Sequence, residues 1–93
     1  MRLSRANSRD GNEQAIVQAL RSAGASVFRL DRPVDLLVGF RGATKLLEVK
    51  DPAGRNRITP GQADFLLTWR GEQPVVVRSI EEALAAIGAS VVG

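Results

Sequence analysis

Glu48, Val49 and Lys50 set a carboxylate and an ammonium two positions apart in a stretch that alternates like a β-strand. Both side chains therefore leave one face, ~7 Å apart along the chain. Asp35 lies one hairpin arm upstream. If Arg41-Gly42 turns the chain, equal arms bring Asp35 across from the Glu48 to Lys50 stretch. Two more polar residues fall where apolar ones are expected. Glu13 keeps helical spacing with Ile16, Val17 and Leu20, and Gln62 does so with Phe65, Leu66 and Trp69. Each thus sits on the stripe of its helix that should face inward, and each can approach the sheet edge from a helix end.

Carboxylates gathered at close range repel one another and resist burial unless a cation lies between them. The chain has no His, no Cys and no Tyr. That excludes disulfides, thiolate zinc sites, Ser-His-Asp arrangements and Cys or Tyr nucleophiles. An all-oxygen ligand set suits Mg²⁺ or Mn²⁺ rather than Zn²⁺. Such an ion keeps waters, takes phosphate oxygens as further ligands, and can orient a hydroxide and stabilise charge developing on phosphorus. Lys50 could position the attacking water, accept its proton, or stabilise that charge. Metal-dependent hydrolysis of a phosphodiester is the chemistry these parts fit.

The elements that must position them can be read along the chain. Its 93 residues, 44% apolar and 25% charged, fit one ordinary globular domain. The net charge is +3, and 11 of the 13 basic residues are Arg, a balance that suits phosphate-rich partners. Residues 1–9, with Arg2, Arg5 and Arg9, read as a mobile basic arm ahead of a single domain over 10–93. A helix is expected from Asp10 to about Ala23, stopped by Gly24, and a strand from Ser26 to Leu30. After the turn Asp31-Arg32-Pro33, strands are expected over Val34–Phe40 and Thr44–Lys50. A polar loop with Arg55 and Arg57 follows. Thr59 caps the next helix with Pro60 first in it, and that helix runs to near Gly71 with Phe65, Leu66 and Trp69 in the core. The run Val75-Val76-Val77 reads as a strand covered on both faces. Ser79 caps a last helix with Ile80, Leu84 and Ile87 inward, and the tail after Gly88 reads as loose. The order α-β-β-β-α-β-α makes this a small α/β domain: a mixed, hairpin-rich sheet with helices against it. No apolar run approaches a membrane span, and the expectation is a soluble, cytoplasmic protein. So small a core would gain from dimerisation, and a homodimer is expected.

Each singled-out residue also has a plainer role available. Glu13 fits the third position of a capping box begun by Asp10, and Gln62 that of a box begun by Thr59. Asp35 could stabilise the turn that follows Pro33. Glu48 and Lys50 could lie on a solvated strand face, although Leu46 beside them argues for partial burial. Arg2, Arg5 and Arg9 could serve only solubility.

In chain order, Glu13, Asp35, Glu48-Val49-Lys50 and Gln62 resemble the PD-(D/E)XK nuclease superfamily. The likeness is to its small stand-alone phage and bacterial members with a VRR-NUC or Holliday-junction-resolvase-like core. It spans about Asp10 to Ser79, and the element order matches the α-β-β-β-α-β core of that restriction-endonuclease-like fold, here with a C-terminal helix added. One departure is plain: Pro33 stands two residues before Asp35 rather than next to it. The resemblance implies a Mg²⁺- or Mn²⁺-dependent DNA endonuclease, with a bacterial or phage-infected cytoplasm as its setting and branched DNA or a Holliday junction among its substrates. It makes Asp35 and Glu48 the metal-binding carboxylates, with the Val49 carbonyl as a further ligand and Lys50 as the catalytic lysine. Glu13 becomes an accessory ligand or a contact to a metal-bound water, and Gln62 a further contact from the second helix. Arg5, Arg9, Arg55 and Arg57 are the expected nucleic-acid contacts. The alternatives are a non-catalytic DNA-binding or structural subunit that keeps the fold, and a small protein-interaction domain.

Overall fold

A computed structural model describes residues 11–53 and 58–89. Helix α1 (Gly11–Ser22) leads into β1 (Ser26–Arg29), β2 (Leu36–Phe40) and β3 (Ala43–Val49). Helix α2 (Pro60–Thr68), β4 (Val75–Val77) and α3 (Ile80–Ala86) follow. This is the expected order of elements, folded as an α/β domain around one four-stranded mixed sheet, β1-β2-β3-β4. The first three strands pair antiparallel and β4 joins β3 in parallel. The expected arm over residues 1–9, helix residue Asp10, loop residues Arg55 and Arg57, and the chain end from residue 90 lie outside the described residues.

Local chemistry explains the joints. Gly24 ends α1 at φ 103°, a conformation that costs a side-chain-bearing residue dearly. Its arrangement lets the Ala25 N–H donate back to the Leu20 carbonyl at 3.0 Å. Arg41 (φ 52°) and Gly42 (φ 81°) make the two-residue turn whose twist suits a hairpin, with Phe40 and Ala43 paired across it. Leu36 then falls opposite Leu47.

Strand alternation sends Val27, Leu36, Val38, Leu47, Val49 and Val77 to one face. There they form the buried core with Ile16, Val17 and Leu20 of α1 and with Ala83, Leu84 and Ile87 at the C-terminal helix. Asn12 fastens α1 over this face: its side-chain amide donates to the carbonyls of Lys50 (3.3 Å) and Arg78 (3.1 Å), at the ends of β3 and β4.

The opposite face corrects several expectations. Val76 is 45% exposed, so β4 is covered on one side only. No residue of α2 is buried; Phe65 is half-buried, while Leu66, Leu67 and the capping Trp69 are exposed. Residue periodicity shows which side chains share a face, but not whether another element covers that face. Both long-range packing helices, α1 and α3, took the same side of the sheet. Ile80 is exposed as well, because the buried side of α3 is made by Ala83 and Leu84 and continues to Ile87. Among the described residues no helix is long and apolar enough to cross a membrane.

Candidate functional site

The site forms where the β2–β3 ladder ends. Extending the register by one residue sets Asp35 opposite Glu48, at a Cβ separation of ~4.5–5.5 Å for such a pair. The Leu30 N–H donates to the Asp35 carbonyl at 2.7 Å, which holds the Asp35 backbone against β1. Its side chain turns inward along the sheet: Oδ2 accepts the Val49 N–H at 2.8 Å. Asp35 thus completes the ladder with a carboxylate where a strand carbonyl would otherwise sit. In extended backbone a residue's N–H and C=O point toward the same neighbour, so the Val49 carbonyl opens to this edge too.

Glu48 and Lys50 project from the open face, as strand alternation requires. Lys50 Nζ lies 3.1 Å from Glu48 Oε2, and the two side chains are only 13% and 12% exposed. Glu48 Oε1 is buried and has no hydrogen-bond partner among the described residues. A buried carboxylate oxygen without a donor costs ~1–3 kcal/mol or more, and a cation at that point would remove the cost.

Helix α2 supplies the opposite wall. Thr59 caps it, its hydroxyl accepting the Gln62 N–H at 3.2 Å, and Pro60 occupies the first turn without needing a donor. The Gln62 side chain does not return to the cap, as a full capping box would have it. Instead Nε2 donates to the Pro33 carbonyl at 3.3 Å and ties α2 to the turn just ahead of Asp35. The resulting open cleft, about 670 Å³, gathers Asp35, Glu48, Lys50 and Gln62. It is also lined by Asp31, Arg32, Pro33, Thr59 and Gly61, none of which the sequence reading had placed there. Their signal was the turn itself: a segment leading straight into Asp35 must border whatever Asp35 borders.

Glu13 is the exception among the expected site residues. It is buried, at 3% exposure, on the stripe of α1 that faces the sheet, as its spacing predicts. But α1 covers the core face, and Glu13 Oε2 lies 3.6 Å from Nε of Arg29 on β1, outside the lining of the cleft. Helical periodicity could not tell which face of the sheet the helix would choose. Among the described residues no three His, Cys, Asp or Glu side chains gather closely enough to hold a metal ion together. The cleft itself offers the carboxylates of Asp31, Asp35 and Glu48, with the Val49 carbonyl directed to the same sheet edge by strand geometry: all oxygen, with positions left for water or phosphate. That set fits Mg²⁺ or Mn²⁺. No protein-family model matches this chain, and neither a curated protein nor a solved structure matches it.

Proposed function

We propose that the chain is a Mg²⁺- or Mn²⁺-dependent DNA endonuclease with a restriction-endonuclease-like arrangement of the PD-(D/E)XK kind. The observation that carries this reading is Glu48 Oε1, buried and without a partner among the described residues, in a cleft that also contains Asp35 and Lys50. A structural ion pair alone explains Oε2; it leaves Oε1 without a reason to be buried. Asp35, Glu48 and the Val49 carbonyl would hold the ion, with Asp35 oriented by the Val49 N–H. When bound, the ion would lower the pKa of a coordinated water and offset charge on the phosphate.

The chain's own groups supply the rest. Lys50, held by Glu48, directs its ammonium at the reacting phosphate or at the attacking water. In the reaction the water oxygen bonds to phosphorus, the phosphorus–oxygen bond to the leaving sugar breaks, and the proton lost by water is matched by one gained by the leaving oxygen. Gln62 positions the turn that carries Asp35. Arg55 and Arg57 follow Lys50 in the chain and are proposed phosphate contacts, with Arg5 and Arg9 adding to them. A homodimer would offer two such clefts to the two strands of a duplex or junction. Glu13 has no part in this reading.

The test is a cleavage panel of linear, nicked, flap and four-way-junction DNA in Mg²⁺, Mn²⁺ or EDTA. Metal-dependent cleavage that disappears in Lys50→Ala, while DNA binding persists, is expected. Cleavage that survives in EDTA or in Lys50→Ala would reject the mechanism.

A further inference from the structure

Arg32 lines the cleft from the Asp31–Pro33 turn, is exposed, and makes no hydrogen bond or ion pair with any described residue. Other arginines are engaged: Arg29 with Glu13, Arg21 with the Val27 carbonyl at 2.8 Å, and Arg41 over the Phe40 ring at 4.8 Å. An unengaged surface arginine is ordinary in itself. This one stands on a backbone held on both sides. Leu30 N–H to Asp35 carbonyl closes the base of the turn at 2.7 Å, and the Pro33 carbonyl is tied to Gln62 on α2 at 3.3 Å.

The charges of the cleft add a second reason. Its lining carries three carboxylates, Asp31, Asp35 and Glu48, and two cations. Lys50 pairs with Glu48 at 3.1 Å and is assigned to the reacting phosphate or water, so among the described residues that line the cleft Arg32 is the cation left for the rest of the strand. Across the cleft Gly61 presents no side chain, and a Cβ built there would meet nothing within 4 Å. Internal packing therefore does not demand a glycine at position 61.

We propose that Arg32 grips the sugar–phosphate backbone of a polynucleotide strand lying in this cleft between the turn and Gly61. Its placement next to the scissile bond rests on the nuclease reading of Asp35, Glu48 and Lys50. A guanidinium fork pairs two donors with two phosphate oxygens, so the contact positions the strand without reading its sequence.

Binding of a fluorescent DNA oligonucleotide, duplex or single-stranded, is measured by anisotropy in EDTA between about 50 and about 200 mM salt, where phosphate contacts dominate the salt dependence. Arg32→Ala should weaken binding about tenfold and make the log–log salt slope shallower by about 0.9 on duplex or about 0.7 on a single strand, the loss of one phosphate contact. Arg32→Lys should keep the slope and recover only part of the affinity, because it lacks the fork. Gly61→Ala should weaken binding with an unchanged or raised melting midpoint. Thermal melting of each variant separates lost contact from lost fold. Arg32→Ala protein that binds with wild-type affinity and slope overturns the proposal, as does wild-type protein that binds neither oligonucleotide. The nuclease reading is judged separately, by Mg²⁺- or Mn²⁺-dependent cleavage at saturating DNA. Cleavage lost in Lys50→Ala with an unaltered Arg32→Ala slope refutes the Arg32 contact alone. An Arg32-dependent slope without any cleavage refutes the nuclease alone.

Discussion

Replacing Lys50 by Met keeps the length and the apolar stem of the side chain and removes only the ammonium. In the metal-free protein this strips Glu48 Oε2 of its partner at 3.1 Å, and Oε1 already has none. At that distance an effective dielectric of about 20 gives a gross attraction of roughly 5 kcal/mol. Desolvation of both groups and the remaining solvent contact reduce the net loss to ~2–3 kcal/mol, below the ~3–5 kcal/mol found when fully buried pairs are broken. For a domain of this size each kcal/mol moves the melting midpoint by ~4–8 °C, so Lys50→Met should melt ~10–20 °C below wild type in EDTA. Mg²⁺ should then stabilise the variant more than the wild type, because the ammonium no longer competes for the same carboxylate. With Mg²⁺ at about ten times Kd, the wild type gains ~1.4 kcal/mol; a tenfold tighter site would give the variant ~2.7 kcal/mol. The assay is calorimetry or far-ultraviolet dichroism on both proteins, with NaCl matching ionic strength. Two results would refute the reasoning. One is equal stability in EDTA, which would mean that Glu48 does not depend on Lys50. The other is a Mg²⁺ response no larger in the variant, which would mean that no cation seeks the carboxylate that Lys50 leaves behind.

Other substitutions separate structural roles from the proposed chemistry. Asp35→Asn keeps an acceptor for the Val49 N–H, so it should cost under ~1 kcal/mol while abolishing the Mg²⁺ response; Asp35→Ala orphans that N–H and should cost ~1–3 kcal/mol, as denaturant titration would show. Glu13→Gln should lower stability by only ~1 kcal/mol, since Arg29 is 41% exposed and water can solvate it, and should leave the Mg²⁺ shift in melting intact; loss of that shift would put Glu13 at the ion. Gly71→Ala would bring a methyl within 2.7 Å of the Trp69 ring, so the ring must move; a cost of ~1 kcal/mol and a changed emission spectrum are expected, readable because Trp69 is the protein's single tryptophan.

The amino-acid order alone determined everything that depends on neighbours along the chain. Arg41-Gly42 made the hairpin turn, the turn set the register, and the register put Asp35 across from Glu48. Period-two alternation put Glu48 and Lys50 on one face, and the caps at Thr59 and Ser79 started their helices where the hydroxyls could accept N–H groups of the first turn. Composition left oxygen as the only ligand chemistry available. What needed tertiary structure was every choice between two sides of the sheet. Glu13 and Gln62 carry the same sequence signal, a polar residue on an apolar helical stripe, yet α1 took Glu13 to the core face while α2 took Gln62 to the cleft. Likewise Trp69, Val76 and Ile80 were expected inside and lie exposed. Periodicity is a property of one element, whereas coverage depends on where a second element docks, and docking is decided by packing between residues far apart in the chain. The presence of Arg32 on the cleft wall has the same origin: a turn's neighbours in space are chosen by the helix that folds back over it.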